Sequence, residues 1–267
     1  MKVKMLLDGG KARVPASGLR RIIEAAGLDV GHRRADIGVV VGGDGIFSRY
    51  GRTEDIPLLF VGVRSKRPTG SKAVLSEVYF DELPVVLPQI KSGNYRIEQH
   101  RRLRVFRNGK GIGEVFTDAY LQRGGDSNCL RYRVKVRGKG VVVDEWAIGD
   151  GLVVSTAAGS TGYYSYPDRI KDDALDPMAS ARIGEDEMGV CHIVPTFTQR
   201  EREDVHPLRY KVPWGCTVEV SLTRPADARL YGTTRGRGGV RVGSRDIIAI
   251  GPANDATKVI SLRGGSD

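Results

Sequence analysis

The chain has 267 residues, 40% of them apolar and 28% charged, the composition of a folded globular protein with room for two modest domains. Its 42 Lys and Arg against 32 Asp and Glu leave a formal charge of +10, which favours anionic partners such as phosphorylated metabolites, nucleic acid or acidic lipid. No apolar run approaches the roughly 18 residues of a membrane span. The start is too short an apolar stretch for a signal peptide, and three cysteines (Cys129, Cys191, Cys216) cannot build a disulfide framework, so a cytoplasmic, reducing setting without a membrane partner is expected.

Residues 3–7 (VKMLL) read as a short strand. Residues 18–26 (GLRRIIEAA) place Leu19, Ile22, Ile23 and Ala26 at helical spacing, and Gly27 closes the helix. Residues 37–41 (IGVVV) and 57–63 (PLLFVGV) are continuous apolar runs of the kind buried in parallel sheets. Residues 83–90 (LPVVLPQI) begin as a helix, with Pro88 against its continuation. The alternation predicts an α/β N-terminal domain with a doubly wound parallel sheet over residues 1–94, ending at Ser92-Gly93-Asn94.

From Tyr95 the pattern changes to short Val- and Ile-bearing runs separated by glycines: 104–107, 130–136, 141–146, 152–155, 218–222, 240–242 and 247–250. They predict a β-rich C-terminal domain over residues 95–267, whose last residues pack back on the first domain. Residues 167–187 read as an acidic surface loop with a helical turn. Only eight residues are Asn or Gln, a scarcity of thermolabile amides that points to a hot environment.

Two motifs carry chemistry. Gly42-Gly43-Asp44-Gly45 follows the apolar run 37–41, at the carboxyl edge of the predicted sheet, where ligands bind in such folds. Glycines there let backbone N–H groups approach a phosphate, and Asp44 is a carboxylate able to take a hydroxyl proton or help hold a metal. The plainer reading is a tight turn with a turn-forming Asp. The second motif is residues 149–163, GDGLVVSTAAGSTGY. Its small and hydroxyl residues offer donors without bulk, suited to a ribose or phosphate, and Tyr163 offers a face to a planar ring. Asp150 stands where it can accept a bond from a ligand amino group. The plainer reading is a Gly-Ser loop between strands.

Other signatures are missing. There is no P-loop and no complete G-x-G-x-x-G after the early strands. Ala158 stands where a G-x-S-x-G elbow around Ser160 needs glycine. The four His residues are scattered, and no Cys or His pairs have zinc spacing, so no metal held by the protein alone is expected.

In this order and spacing the two motifs resemble the NAD kinase family, which carries GGDG, then an NE or ND pair, then DG…STPTGSTAY. The resemblance runs across nearly the whole chain and includes Asn94-Tyr95-Arg96-Ile97-Glu98 and Val194-Pro195-Thr196. It implies phosphoryl transfer from ATP or polyphosphate, with Mg²⁺, to the 2′-hydroxyl of the adenosine ribose of NAD, giving NADP. It also implies a dimer or tetramer.

Carried over residue by residue, Asp44 matches the catalytic Asp, with Gly42, Gly43, Gly45 and Arg49 serving phosphates. Thr117, Asp118, Asp150, Ser155, Thr156, Gly159, Ser160, Thr161, Gly162 and Tyr163 fall in the substrate-binding motifs. The chain departs from the pattern at Thr117 (Asn in the family), at Ala157-Ala158 and Gly162, at Tyr164-Ser165-Tyr166-Pro167 in place of a glycine stretch, and at Leu230-Tyr231-Gly232-Thr233 in place of DGQ. All of these lie on the acceptor side. Lipid kinases and phosphofructokinases share a GGD-type turn, so the alternative is another hydroxyl acceptor: nucleoside, sugar or lipid. A basic stretch with Arg224, Arg229, Arg235, Arg237, Arg241 and Arg245 raises nucleic acid binding, which is not expected because a polyphosphorylated ligand already accounts for basic residues.

Overall fold

A computed structural model describes residues 1–7, 14–64, 73–125, 127–169, 182–200, 206–233 and 239–262. Arg235 and Arg237 of the basic stretch, and residues 170–181 of the anticipated acidic loop, lie outside the described residues. The chain divides into two units, Met1–His100 with Ala256–Asp267, and Arg101–Asp255.

The first unit is built on β1 (Lys2–Leu7), α1 (Ala16–Ala25), β2 (Asp29–Val30), β3 (Ile37–Gly42), α2 (Asp44–Gly51), β4 (Leu58–Gly62), β5 (Val78–Tyr79) and α3 (Leu83–Lys91). Its strands are parallel, in the order β2-β1-β3-β4-β5. Side chains alternate across a strand, so each apolar run serves both faces of the sheet. Val39, Val41, Leu59 and Val61 pack with Leu19 and Ile23 of α1 and with Leu83, Leu87 and Ile90 of α3. On the other parity, Phe60 stacks on Phe47 of α2, with ring centroids 4.7 Å apart. Helices therefore cover both faces, as a doubly wound sheet requires.

The helix α3 runs through Pro88 rather than stopping there. Leu83, Val86, Leu87 and Ile90 are all buried at helical spacing. At roughly 1.5–3 kcal/mol for each buried side chain, they outweigh the roughly 3 kcal/mol that an interior proline costs.

The second unit is antiparallel. The chain enters it along β6 (Arg96–Arg107) and continues through β7 (Lys110–Val115), β8 (Asp118–Arg123), β9 (Leu130–Gly138), β10 (Val141–Gly149), β11 (Gly151–Ser155), the short α4 (Tyr166–Arg169), β12 (Glu187–Ile193), β13 (Phe197–Arg200), β14 (Arg209–Pro213), β15 (Thr217–Leu222), β16 (Ala228–Tyr231) and β17 (Val240–Val242). It leaves along β18 (Ile247–Ser261), whose end returns to the first unit and pairs in parallel with β4 through Val259 and Leu58.

Within this unit β13-β10-β9-β15-β18 form one layer and β14-β12-β11-β8-β16-β17 another. Their inward residues, among them Tyr132, Val134, Val220, Leu121, Val154 and Leu230, share one core. Among the described residues, no helix is long and apolar enough to cross a membrane.

Candidate functional site

The first motif is a strand-to-helix junction and not merely a tight turn. Gly42 ends β3, Gly43 is the N-cap of α2 in extended geometry, and Asp44 is the first helical residue. Helix starts leave backbone N–H groups without an intrahelical acceptor, and the aligned peptide dipoles add positive character there, so the junction is suited to anions.

The glycines differ in their reasons. A Cβ on Gly42 would meet the Ile46 side chain at 2.9 Å, so this glycine lets the helix close onto the strand. A Cβ on Gly45 would meet nothing within 4 Å, and the residue is exposed. Packing gives no reason for a bare backbone at Gly45. The Asp44 carboxylate accepts the Leu75 N–H at 3.0 Å, which fixes its direction. Arg49 lies in the last turn of α2, with its guanidinium 5.4 Å from the centre of the Tyr50 ring. It is therefore not brought to the end of the helix that carries Asp44.

In the second unit, β11 lies between β8 and β12 and ends opposite Asp118, in the register Ser155↔Asp118. Ser155 and Thr156 are buried, and their hydroxyls are turned inward. Thr156 Oγ1 donates to Phe116 O at 2.7 Å, and the Thr156 N–H donates to Thr117 O at 2.8 Å. These two residues fasten the Thr117-Asp118 corner to the turn. Ser160 Oγ likewise donates to Ala157 O at 2.7 Å and accepts the Ile183 N–H at 3.0 Å. Gly159 is required by space, because a Cβ there would lie 2.4 Å from Thr117 O.

Past this knot the chain faces outward. Thr161 is half-buried, while Gly162 and Tyr163 are exposed. A Cβ on Gly162 would stand 3.3 Å from Asp118 Oδ2, so the structure brings Asp118 and residues 161–163 together. Asp150 stands apart from them at the other end of β11 and is gripped by Arg123, Nε to Oδ1 2.8 Å.

Three participants escaped the sequence reading. Tyr120 stacks on Tyr231, its direct cross-strand partner, with ring centroids 5.1 Å apart, and also lies 5.5 Å from the Tyr163 ring. Arg123 is the third. Gly232 has φ +100°, and a Cβ there would reach Asp118 O at 2.4 Å, so the glycine survives where the family's neighbouring residues do not. Gln122 Nε2 and the Tyr163 hydroxyl are 3.4 Å apart.

Among the described residues, no group of three His, Cys, Asp or Glu could hold a metal ion. A single carboxylate beside a helix N-terminus suits a phosphate chain that arrives with its own cation. Together these features define an α/β unit with a glycine-flanked strand-to-helix junction, followed by an antiparallel β unit with a glycine- and hydroxyl-rich turn.

The chain is 31% identical over 137 residues to an NAD kinase of Paraburkholderia phymatum, 33% over 136 to one of Geobacter sulfurreducens, and 32% over 149 to one of Natranaerobius thermophilus. The matched segments cover 48–52% of this chain and 43–49% of those relatives, so the chain spans about half the length of the curated relatives it matches. No family model matches.

In fold it is similar to an NAD kinase of Archaeoglobus fulgidus in complex with ATP (TM-score 0.68, 17% identity, 98% of this chain and 94% of that one). It is equally similar to a yeast NADH kinase complexed with NADH (TM-score 0.68, 15% identity, 98% and 83%). Over these segments in sequence, and across nearly its whole length in fold, the chain is similar to NAD kinases.

Proposed function

We propose that this chain is an NAD kinase, transferring a phosphoryl group from ATP or polyphosphate to the 2′-hydroxyl of the adenosine ribose of NAD. The carrying observation is the strand-to-helix junction at Gly43-Asp44-Gly45, with its open space at Gly45 and its oriented carboxylate. The solved relative with this fold was crystallised with ATP, which supports that donor class.

In this reading the backbone N–H groups at the start of α2 receive the donor phosphates, and Gly45 lets them come close. Asp44, held by Leu75 N–H, takes the proton of the attacking hydroxyl. Asp118, Thr161 and Tyr163 hold one end of the acceptor, and Asp150, at the opposite end of β11, accepts from an amino group further along it. Phosphoryl transfer asks a protein for alignment and charge compensation more than for covalent help. A divalent cation such as Mg²⁺, bound with the nucleotide, would supply the charge compensation. We infer a cytoplasmic homo-oligomer.

Incubation with NAD, ATP and Mg²⁺ should yield NADP, read by an NADP-specific dehydrogenase. The same assay run on nucleosides, sugars and diacylglycerol tests the other acceptors. Turnover of one of these without NADP formation would replace NAD as the acceptor while leaving the donor assignment in place.

A further inference from the structure

Val194 is a β-branched residue with φ +41°, in the left-handed region that such side chains avoid. It is 58% exposed, so side-chain packing does not compensate the strained backbone. A strained residue that persists is held by its surroundings, and such positions cluster at functional sites.

The turn of residues 194–196 lies directly on Gly149 and Asp150. The Asp150 N–H donates to Ile193 O at 2.8 Å, and the Thr196 N–H donates to Ile148 O at 2.8 Å. A Cβ on Gly149 would stand 2.8 Å from Pro195 Cα and 3.0 Å from Val194 O. The other side of this corner is fixed by β8 and β9. Arg123 N–H donates to Asp150 O at 2.9 Å, and the Tyr132 hydroxyl donates to Gly151 O at 2.6 Å. The 194–196 turn is thus one of the two supports that position the Asp150 backbone, β8 and β9 being the other.

One side chain ties that turn down. The Tyr166 hydroxyl donates to His192 O at 2.7 Å and accepts the Val194 N–H at 3.1 Å. Both ends of the strained peptide stretch are therefore pinned to a single oxygen. Tyr166 is itself anchored. Two residues on in α4, Asp168 makes a two-pronged ion pair with Arg209, Nη1 to Oδ2 2.5 Å and Nη2 to Oδ1 2.8 Å. Such charge-assisted forks are rigid as well as strong. Tyr166 lies three residues beyond Tyr163 in the segment that departs from the family pattern.

We propose that Tyr166 is a positioning residue, whose hydroxyl locks the strained Val194 turn and thereby holds Asp150 for the acceptor. This rests on the acceptor reading given above. Tyr166→Phe keeps the ring and deletes the clamp. Val194→Gly makes the left-handed conformation unstrained, so that it no longer needs the clamp.

With ATP and Mg²⁺, Tyr166→Phe should raise KM for NAD about tenfold while kcat stays within about twofold, the pattern of weakened uniform binding. Adding Val194→Gly to Tyr166→Phe should return KM to within about threefold of the parent. A merely structural tyrosine would lower the melting temperature without this split or its rescue. KM unchanged in Tyr166→Phe, or no recovery in the double variant, overturns the proposal. If the parent chain makes no NADP, the functional reading falls separately. Hydrogen exchange of residues 149–151 and 193–196 then decides the clamp: faster exchange in Tyr166→Phe upholds it, and unchanged protection overturns it.

Discussion

Gly45 and Asp44 occupy adjacent helical positions and separate fold from function by one substitution each. Because a Cβ at Gly45 meets nothing, Gly45→Ala should be accepted by the fold. Alanine in a helix is favoured over glycine by roughly 0.5–1 kcal/mol, so the variant should be slightly more stable in urea. The new methyl group stands where a phosphate would approach, so KM for the donor should rise at least about tenfold, about 1.4 kcal/mol. A variant that gains stability and keeps its donor KM removes Gly45 from the site.

Asp44→Asn preserves the shape and the bond from Leu75 N–H but cannot take a proton. Turnover should fall by about 10²–10⁴, the usual worth of a placed base, with the melting curve unmoved. Near-parental turnover would strip Asp44 of its role. Both residues were singled out in the sequence by glycines flanking an acid after an apolar run, a pattern that a tight turn with a turn-forming Asp produces as well. The partners of Asp150, Tyr163 and Asp118 were not. Arg123, Tyr120 and Tyr231 reach the site through antiparallel pairing of β8 with β11 and β16, which unites positions about thirty and about a hundred residues apart.

At the level of elements, the parallel strands were the easiest to read, since a strand buried on both faces must be apolar throughout. The strands that escaped reading are those whose apolar partners come from a neighbour. Residues 110–115 (KGIGEV) carry two glycines and two charges, and residues 209–213 (RYKVP) and 197–200 (FTQR) are short. In each case register, and not composition, supplies the burial.

The β6–β7 hairpin illustrates what such elements depend on. Asp246, just before β18, accepts from Arg107 Nη2 at 2.7 Å, Asn108 Nδ2 at 2.8 Å and Gly243 N–H at 2.8 Å. The Arg107 bond first, then the Gly243 amide, pull the Asp246 carboxyl from an ordinary 3.8 down to about 2. A carboxyl with a depressed folded-state pKa stabilises above its unfolded pKa, and the benefit fades as pH falls from about 4 toward 2.

The full shift would correspond to about 2.5 kcal/mol at 1.36 per unit, but the Arg107 side chain is more than a third exposed, so about 1 kcal/mol is expected. In urea titrations Asp246→Asn should therefore be less stable than the parent by that amount at pH 7. The gap should hold to about pH 5, narrow below about pH 4 and close only at or below about pH 2. A gap that persists unchanged at pH 2.5 would assign the loss to packing.

For the whole molecule, the scarcity of Asn and Gln leads to a stability prediction that the side-chain contacts reinforce. Exposed ion pairs contribute little at 25 °C. Several pairs here are instead half-buried and well aimed. Arg209 meets Asp168 with two bonds, Arg133 meets Asp144 at 2.5 and 2.6 Å, and Lys4 meets Glu54 at 2.7 Å. Deeper in, His192 and Glu145 are fully buried and bonded at 3.1 Å, with the Tyr132 hydroxyl on the other ring nitrogen at 2.8 Å and the Tyr210 hydroxyl on the carboxylate.

The cost of desolvating charged groups falls as temperature rises, because their hydration carries a negative entropy, so such pairs gain relative weight in the heat. The charge of +10 works the other way, through self-repulsion, but over distances that ordinary salt screens. The paired contacts are shorter than any such screening length and persist. Calorimetry at about 0.15 M salt should then give a melting temperature above about 80 °C, clear of the roughly 45–65 °C of ordinary domains. A transition inside that ordinary range would mean that these pairs merely repay their desolvation, and that the amide scarcity has some cause other than heat.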